Sequence, residues 1–347
     1  GRAPFVELGL VSCFSFLRGA SDAVDLVTTA RALGYDAVGI ADANTMAGVV
    51  RIHAEAKALG LKPVIGCRIE TVEGLAFLAY PADRAAYGRL CRLISAGRMA
   101  RLDGEWQDKG VCEISLAMLA DHAEGVELVL VPPDDLSTVL SIAVSGQVVA
   151  LDGSPREGLL SGDLERLLPQ LCTRLPTMRH LAAAWLYRGD DLARIERLDS
   201  LARDNGLTIL ATNLPLYHVP QRRPLHDVMT AIRHKTTVAR AGHLLEANAE
   251  RHLKGPEEMA RLFERWPHAL TAARELADRC RFSLDELRYE YPKQDYPDGL
   301  DAQAYLDRLT WEGAALHYPH GVPEEVAETL RKELALIGKK QLAQYFL

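Results

Sequence analysis

Short β-branched runs alternate with helical patterns through the first two thirds of this 347-residue chain, and glycines punctuate the alternation. FVELGLVS leads through the turn FLRGAS into DAVDLVTTARALG, where Ser21 is a candidate helix cap and Gly34 a candidate helix end. Strands joined through helices pair in parallel by right-handed crossovers. This order predicts an α/β fold, and the length of the series favours a closed or nearly closed β/α barrel over an open sheet.

The same punctuation predicts the later elements. Further strands are predicted at LKPVIGCRIETV, LAFLAYP, VELVLVPP, QVVALDG, HLAAAWLY and LTILATN. Beyond about residue 220 the strand pattern fades, and segments such as RPLHDVMTAIRHK and GPEEMARLFERW have the pattern of helices. We therefore predict a barrel domain over residues 1–220 and a helical region over residues 221–347.

The composition excludes several classes of protein. With 48% hydrophobic and 25% charged residues, the chain is typical of a folded globular protein. No run approaches the roughly 18 apolar residues of a membrane span, and the first residues lack a secretion-signal pattern, so we expect a cytoplasmic location. The 6 scattered cysteines form no C-x-x-C pair and indicate reduced thiols. A net charge of −7 argues against a uniformly basic surface.

Several segments together resemble one protein family. They are FVELGLVSCFSFLRGAS, IADANTMAGVVR, PVIGCRIE, ILATN, LEANAERHLKGPEEMARLF and RCRFSLDELRYEYP. Over nearly its whole length, the chain resembles the N-terminal part of the error-prone, alpha-subunit-like bacterial C-family DNA polymerases. That family begins with a polymerase-and-histidinol-phosphatase (PHP) domain. The resemblance implies a PHP-type, distorted TIM-like β/α barrel and then an all-α segment, with the palm domain expected beyond the last residue.

The resemblance also locates the positions of the PHP metal ligands in the first half of the barrel. A metal-binding PHP domain has a His-x-His at the end of its first strand, where this chain has Gly9 and Val11. The second motif is an Asp-His pair, of which Asp42 remains while Ala43 stands in place of the histidine. Most of these side chains carry no ligand atom.

The later ligand positions are changed in the same way. A glutamate is expected in the third strand, where this chain has Arg68, and an Asp-x-His near the end of the barrel matches Leu214 and Leu216. The mid-barrel ligands are not assigned. Hydrolysis by clustered divalent metals needs several His, Asp or Glu donors, and a guanidinium repels a cation. The resemblance therefore implies a degenerate metal site with no catalytic residue.

Three acidic or imidazole side chains remain as weak candidates for a residual metal site: Glu7, Asp42 and His218. A sharper hypothesis is that the charge of Arg68 replaces the lost metal by pairing with Asp42, and with Glu7 on the neighbouring strand. The alternative is that Arg68 points to solvent from a loop.

Other polar residues have simpler interpretations. His53 lies in the amphipathic pattern AGVVRIHAEAKALG, which favours a surface or packing role over a ligand role. Asp190 and Asp191 stand at the start of a predicted helix, where carboxylates favour the helix dipole. Capping explains this pair without catalysis.

A basic stripe follows the predicted barrel. Candidate phosphate or DNA contacts are Arg222, Arg223, Arg233, Lys235 and Arg240, against the single acid Asp227. No aromatic stacking platform accompanies these charges. A connector that makes ordinary salt bridges is therefore slightly favoured over a DNA contact.

The functional expectation follows from the resemblance. The segment is expected to be a structural part of a translesion DNA polymerase acting in DNA repair and damage-induced (SOS) mutagenesis, with no cofactor of its own and with Mg²⁺ in the full polymerase. Its expected partners are the rest of the polymerase chain, DNA through the full enzyme, accessory translesion proteins and the sliding clamp. Two alternatives are an active metal-dependent phosphoesterase or exonuclease, and a free-standing module that recruits mutagenesis proteins.

Overall fold

The computed structural model describes residues 3–149, 155–288 and 294–347 of the chain. By its contacts the chain divides into two units, Gly1–Glu286 and Leu287–Leu347. The predicted boundary near residue 220 marks the place where the strands stop, and as a division between domains it stays a prediction.

The first unit holds the strands and most of the helices. Its strands are β1 (Glu7–Leu10), β2 (Ala37–Ile40), β3 (Lys62–Val64), β4 (Cys67–Glu70), β5 (Ala76–Pro81), β6 (Val126–Val131), β7 (Leu140–Val149), β8 (Pro155–Gly162), β9 (Met178–Ala183) and β10 (Thr208–Ala211). Its helices are α1 (Ala23–Ala32), α2 (Val49–Ala58), α3 (Arg84–Met99), α4 (Leu116–His122), α5 (Leu164–Arg174), α6 (Asp191–Asp204), α7 (Arg223–Arg233), α8 (Val238–Ala241), α9 (Pro256–Leu262) and α10 (Pro267–Arg279).

The opening segment folds as its pattern predicts, apart from the cap. β1 and β2 are buried at every residue, as expected for strands covered on both faces. The cap of α1 is Asp22, whose carboxylate accepts a hydrogen bond from the Asp25 N–H, and the prediction of Ser21 was wrong by one position. The α1 helix ends before Gly34, which adopts a positive φ of 91° that favours glycine.

The strands form two main sheets with mixed pairing. One sheet has the order β1-β2-β3, entirely parallel, and the other has the order β10-β9-β6-β5-β4. In the second sheet β10, β9 and β6 are parallel, whereas β5 runs antiparallel to both β4 and β6. The predicted strand LKPVIGCRIETV is divided into β3 and β4, which lie in different sheets. The expectation that strands joined through helices pair in parallel was therefore wrong for β5 and β6.

Irregular backbone contacts link the two sheets. Ala43, just after β2, forms an isolated parallel bridge with Arg68 in β4. At the other side, the Val11 N–H donates to the Pro215 carbonyl, 3.1 Å away, after the ends of β1 and β10. The predicted α/β fold is confirmed, and within the described residues the strands stop short of a continuous closed barrel. A separate hairpin of β7 and β8 adds a third, two-stranded sheet.

The second unit is helical, as the sequence pattern predicts. Its helices are α11 (Ala302–His317), α12 (Glu324–Lys339) and α13 (Ala343–Phe346). Asp301 caps α11 by accepting a hydrogen bond from the Ala304 N–H. No helix in the described part of either unit has both the length and the apolar content to cross a bilayer.

Candidate functional site

The predicted ligand positions converge where β1, β2 and β10 reach their carboxyl ends and β4 begins. Val11, Ala43, Arg68 and Leu216 line one cavity of about 160 Å³. Leu214 and Arg68 line a neighbouring cavity of about 300 Å³. The positions inferred from the resemblance therefore lie together, at the strand ends where α/β folds place their chemistry.

Glu7 is buried completely and accepts hydrogen bonds through both of its carboxylate oxygens. Oε1 accepts from the Gly9 N–H at 2.8 Å and from the Thr212 hydroxyl, and Oε2 accepts from the Asn213 N–H at 2.8 Å. Burial raises the pKa of Glu7 above its usual value, and these three hydrogen bonds act in the opposite direction. The carboxylate thus fastens β1 to the segment that follows β10.

Asp42 performs the same task at the end of β2. Oδ1 accepts from the Ser12 N–H at 2.8 Å and from the Ser15 hydroxyl at 2.6 Å, and Oδ2 accepts from the Ser12 hydroxyl at 2.6 Å. Burial raises the pKa of Asp42, while the hydrogen bonds from Ser12 and Ser15 act to lower it. Asp42 therefore holds the turn after β1 in place.

The third residual candidate lies in other contacts. His218 Nδ1 is 2.7 Å from the Ser21 hydroxyl and 4.0 Å from Asp25 Oδ2. Across residues 3–149, 155–288 and 294–347, no group of three His, Cys, Asp or Glu side chains is arranged to hold a metal ion. Since Glu7 and Asp42 are already engaged by protein donors, the described residues at these positions do not fit the metal cluster of an active PHP domain.

Gly9 adds a steric obstacle at the first ligand position. A Cβ atom built on Gly9 would lie 2.5 Å from Thr212 Oγ1 and 3.2 Å from Glu7 Oε1. Both contacts are shorter than ordinary van der Waals separations for carbon. A histidine cannot occupy this position unless the Glu7 hydrogen bonds rearrange.

Arg68 pairs with a different acid from the one expected. Its Nε donates to Glu70 Oε1 at 3.1 Å, and Arg18 Nη1 donates to the same oxygen at 2.6 Å. The hypothesis that Arg68 pairs with Asp42 or Glu7 was wrong, because both of those carboxylates are occupied by nearer donors. Residues two apart on a strand share one face, which places Glu70 beside Arg68.

The smaller cavity is lined by a cluster of charged residues, which we call the arginine pocket. Its charged and imidazole side chains are Arg18, Arg68, Arg233, Arg251, Glu70, Glu246 and His226. Arg251 donates from Nη1 to Glu246 Oε1 at 2.9 Å, and Arg188 Nη2 reaches Glu246 Oε2 at 3.3 Å. Glu70 and Glu246 are thus each shared by two guanidinium groups.

Burial and like charges shape the electrostatics of this pocket. Burial lowers the pKa of Arg68, and the charges of Arg251 and Arg18 add to that lowering against the opposing effect of Glu70. Burial tends to raise the pKa of Glu70, but Arg18 and Arg68 hold it below its usual value. Glu70 is therefore the acid that holds two of the guanidinium groups together.

Sequence reasoning missed most of this pocket. Arg18 lies in the turn FLRGAS. Glu246 and Arg251 lie in LEANAERHLKG, a segment that supports the family resemblance but has no predicted site residue. The signal that could have found Glu70 is its spacing of two from Arg68 along a strand. Arg18 and Arg251 could not be placed, because only the tertiary fold brings them to β4.

The residues of the basic stripe after residue 220 have different surroundings. Arg222 pairs with Asp25 at 3.0 Å, and Arg223 lies 3.6 Å from Asp227. Arg233 lines the arginine pocket, whereas Lys235 and Arg240 are exposed. Contact of these residues with DNA stays a prediction.

The remaining polar candidates have structural contacts. His53 Nε2 lies 3.2 Å from Asp285 Oδ1. Asp191 is buried and accepts from the backbone N–H groups of Leu186, Arg188 and Gly189, so it orders the turn before α6. Asp190 is the cap residue of α6 and forms no capping hydrogen bond through its side chain.

Comparison with known proteins agrees with the resemblance noted in the sequence. Residues 7–166 match the family model described as PHP domain. The chain is 40% identical over 344 residues to an error-prone DNA polymerase of Caulobacter vibrioides, covering 99% of this chain and 29% of that protein. It is 42% identical over 348 residues to an error-prone DNA polymerase of Bradyrhizobium diazoefficiens, covering 99% of this chain and 28% of that protein.

Solved structures show only a distant likeness. An amidohydrolase from Chromobacterium violaceum is 13% identical, with a TM-score of 0.41. The match covers 60% of this chain and 86% of that chain. The chain spans less than a third of the length of the curated polymerases it matches. Residues 7–166 match the PHP domain family, and the chain as a whole is similar to the PHP-containing N-terminal region of error-prone DNA polymerases.

Proposed function

We propose that this chain is the N-terminal PHP region of an error-prone translesion DNA polymerase and that this region is structural, without hydrolytic activity. The observation that supports the absence of hydrolysis is the use of Glu7 and Asp42. Each carboxylate accepts three hydrogen bonds from the protein itself, which leaves about one of its four lone-pair sites free, fewer than the two that a ligand bridging two metal ions needs.

The region would support the polymerase core and present surface to other components. The proposal gives this region no cofactor and assigns Mg²⁺ to the palm of the full polymerase. The partners proposed are the rest of the polymerase chain, DNA through the full enzyme, and accessory translesion proteins together with the sliding clamp. A cytoplasmic location accompanies this assignment.

A hydrolysis assay tests the catalytic half of the proposal. The purified chain would be incubated with Mn²⁺, Zn²⁺ or Fe²⁺ and with a chromogenic phosphodiester, a phosphomonoester or single-stranded DNA. We expect no turnover above the protein-free background with any metal. Metal-dependent turnover that disappears in Asp42→Asn would contradict the proposal and favour an active phosphoesterase.

Primer extension tests the polymerase half. We expect no extension by this chain alone, and extension by the longer protein in which the chain is joined to the rest of its polymerase. A longer protein that folds and binds primed DNA but does not extend the primer would contradict the assignment.

A further inference from the structure

We propose that the arginine pocket binds a phosphoryl anion, either inorganic phosphate or a terminal phosphomonoester, through guanidinium groups and without metal. The proposal goes beyond the structural role argued above, since it assigns a ligand to the degenerate site. Its basis is an excess of partly buried positive charge, combined with unused donors around a cavity of suitable size.

The charge excess is visible in the lining of the pocket. Four arginines face only two carboxylates, Glu70 and Glu246. The Arg233 side chain donates to the Leu17 carbonyl at 3.3 Å and forms no ion pair within the described part of the chain. A phosphoryl dianion would offset the excess charge, and planar guanidinium groups are well matched to its oxygens.

The arginines are partly withdrawn from water, which strengthens their attraction for an anion. The side chains of Arg68 and Arg251 are 24% and 17% exposed. At these positions a charge is screened less than on an open surface, and the like charges of Arg18, Arg68 and Arg251 act on one another. An anion among them would relieve that repulsion.

Donors remain available in the pocket. Among the described residues, Arg68 makes its side-chain hydrogen bond through Nε, which leaves both terminal nitrogens for a ligand. Arg233 makes its one described hydrogen bond through Nη1, which leaves its other guanidinium nitrogens for a ligand as well.

The cavity has room for such an ion. Its volume is about 160 Å³. A water molecule takes about 30 Å³ in the liquid, so this space accommodates a tetrahedral oxyanion of five heavy atoms. Arg233 lines the pocket and is also exposed to solvent, so a ligand can enter beside it.

Thermal unfolding of the whole chain in inorganic phosphate tests the proposal. At fixed ionic strength maintained with chloride, we expect the melting temperature to rise with phosphate concentration toward a saturable binding curve. Arg233→Gln should weaken binding by roughly tenfold or more through loss of a charge-assisted contact, while leaving the ligand-free melting temperature nearly unchanged. Arg240 is also exposed and lies outside the pocket, so Arg240→Gln is the matched control and should bind phosphate as the parent chain does.

Three results decide the proposal. A melting temperature that does not respond to phosphate would overturn it, and so would equal losses of affinity in Arg233→Gln and Arg240→Gln. A phosphate response that Arg233→Gln weakens and Arg240→Gln preserves would support it. These measurements do not depend on hydrolysis or primer extension. Phosphate binding can therefore be refuted while the proposed function stands, and the proposed function can be refuted while phosphate binding stands.

Competition between oligonucleotides identifies the source of the phosphoryl group. If an oligonucleotide with a 5′ phosphate displaces inorganic phosphate and its 5′-hydroxyl counterpart does not, the ligand is a nucleic-acid end. If neither displaces it, the ligand is free phosphate. Equal displacement by both oligonucleotides would overturn the proposal, because the pocket would then respond to the backbone phosphodiesters rather than to a terminal phosphoryl group.

Discussion

At the scale of single residues, the hydrogen-bond partners of a carboxylate decide what it can do. Glu7 and Asp42 lie at strand ends, where carboxylates often bind metals, yet protein donors surround both. The acids therefore remain important to the fold although the metal chemistry implied by the family does not fit them. Burial raises the pKa of each carboxyl group, and the hydrogen bonds stabilise the charged forms.

Removing the Glu7 carboxylate should destabilise the protein strongly. Glu7→Ala leaves the buried N–H groups of Gly9 and Asn213 without an acceptor, at a cost of about 1–3 kcal/mol for each unsatisfied group. Urea unfolding would measure the change. The control Glu275→Ala removes an exposed carboxylate on α10 and should change the free energy of unfolding by less than about 0.5 kcal/mol. Equal effects of the two substitutions would argue against a bracing role for Glu7.

The lowered pKa of His180 predicts that the stability of the protein depends on pH. Burial, with help from the charge of Arg279, lowers the pKa of His180 to about 4 from an ordinary value of 6.5. The folded state therefore favours the neutral ring. Its contribution to stability is fully present above about pH 6.5 and is lost as the pH falls through about 4.

Substitution of His180 should remove this part of the acid sensitivity. Urea unfolding of the parent chain and of His180→Gln would be compared between about pH 7 and about pH 4.5. The stability advantage of the parent should shrink toward low pH, by at most about 1.4 kcal/mol per pH unit. A difference that stays constant across this range would show that His180 does not titrate in this way.

At the scale of secondary-structure elements, β1 and the segment after β10 approach so closely that no space remains for a side chain at Gly9, the first ligand position. Gly9 allows this approach because any side chain there would meet Thr212 and Leu214. The packing between these elements therefore blocks a ligand side chain at Gly9, in addition to the absence of a histidine there. An ion-binding side chain could not be restored by one substitution.

Gly9→Ala should lower stability by about 1–3 kcal/mol, as expected for overpacking in a tight core. Gly88→Ala offers a contrast, because Gly88 lies in α3 and a Cβ there would be near only the flexible end of Arg92. That substitution should be neutral or should stabilise the helix by up to about 1 kcal/mol. Thermal or urea unfolding of both variants would compare the signs, and a neutral Gly9→Ala would refute the packing argument.

The strand pairing shows how much of the fold could be predicted from the sequence. β-branched runs separated by glycines correctly located most strands, because burial on both faces leaves a strong apolar pattern. The direction of β5 could not be obtained in this way. An apolar run has the same composition in either direction, and the link from β5 to β6 contains helices as a parallel crossover would.

The same limit applies to the candidate site. The positions Gly9, Val11 and Ala43 could be named from the sequence because the family resemblance supplied the motif that each of them matches. The arginine pocket could not, because Arg18 and Arg251 are separated by most of the barrel and meet only in the folded protein. The pairing of Arg68 with Asp42 failed because charge alone does not show which acids are already hydrogen-bonded.

At the scale of the whole molecule, an α/β fold whose residues 7–166 match the PHP domain model surrounds carboxylates that are engaged by protein donors. Hydrogen bonds from Ser12, Ser15 and Thr212 to these carboxylates stabilise the strand ends. The chain carries a net charge of −7, so the positive arginine pocket is a local exception to its overall charge. The strand ends are thus held by protein contacts, and the candidate ligand positions border a basic pocket.

Elemental analysis of the purified chain tests that account most directly. The chain would be dialysed against trace manganese, zinc and iron, and its metal content measured per mole of protein. The account predicts far less than one equivalent of each metal, because Glu7 and Asp42 are occupied and the neighbouring positions lack ligand atoms. One or more equivalents retained after dialysis, and lost in Asp42→Asn, would contradict it.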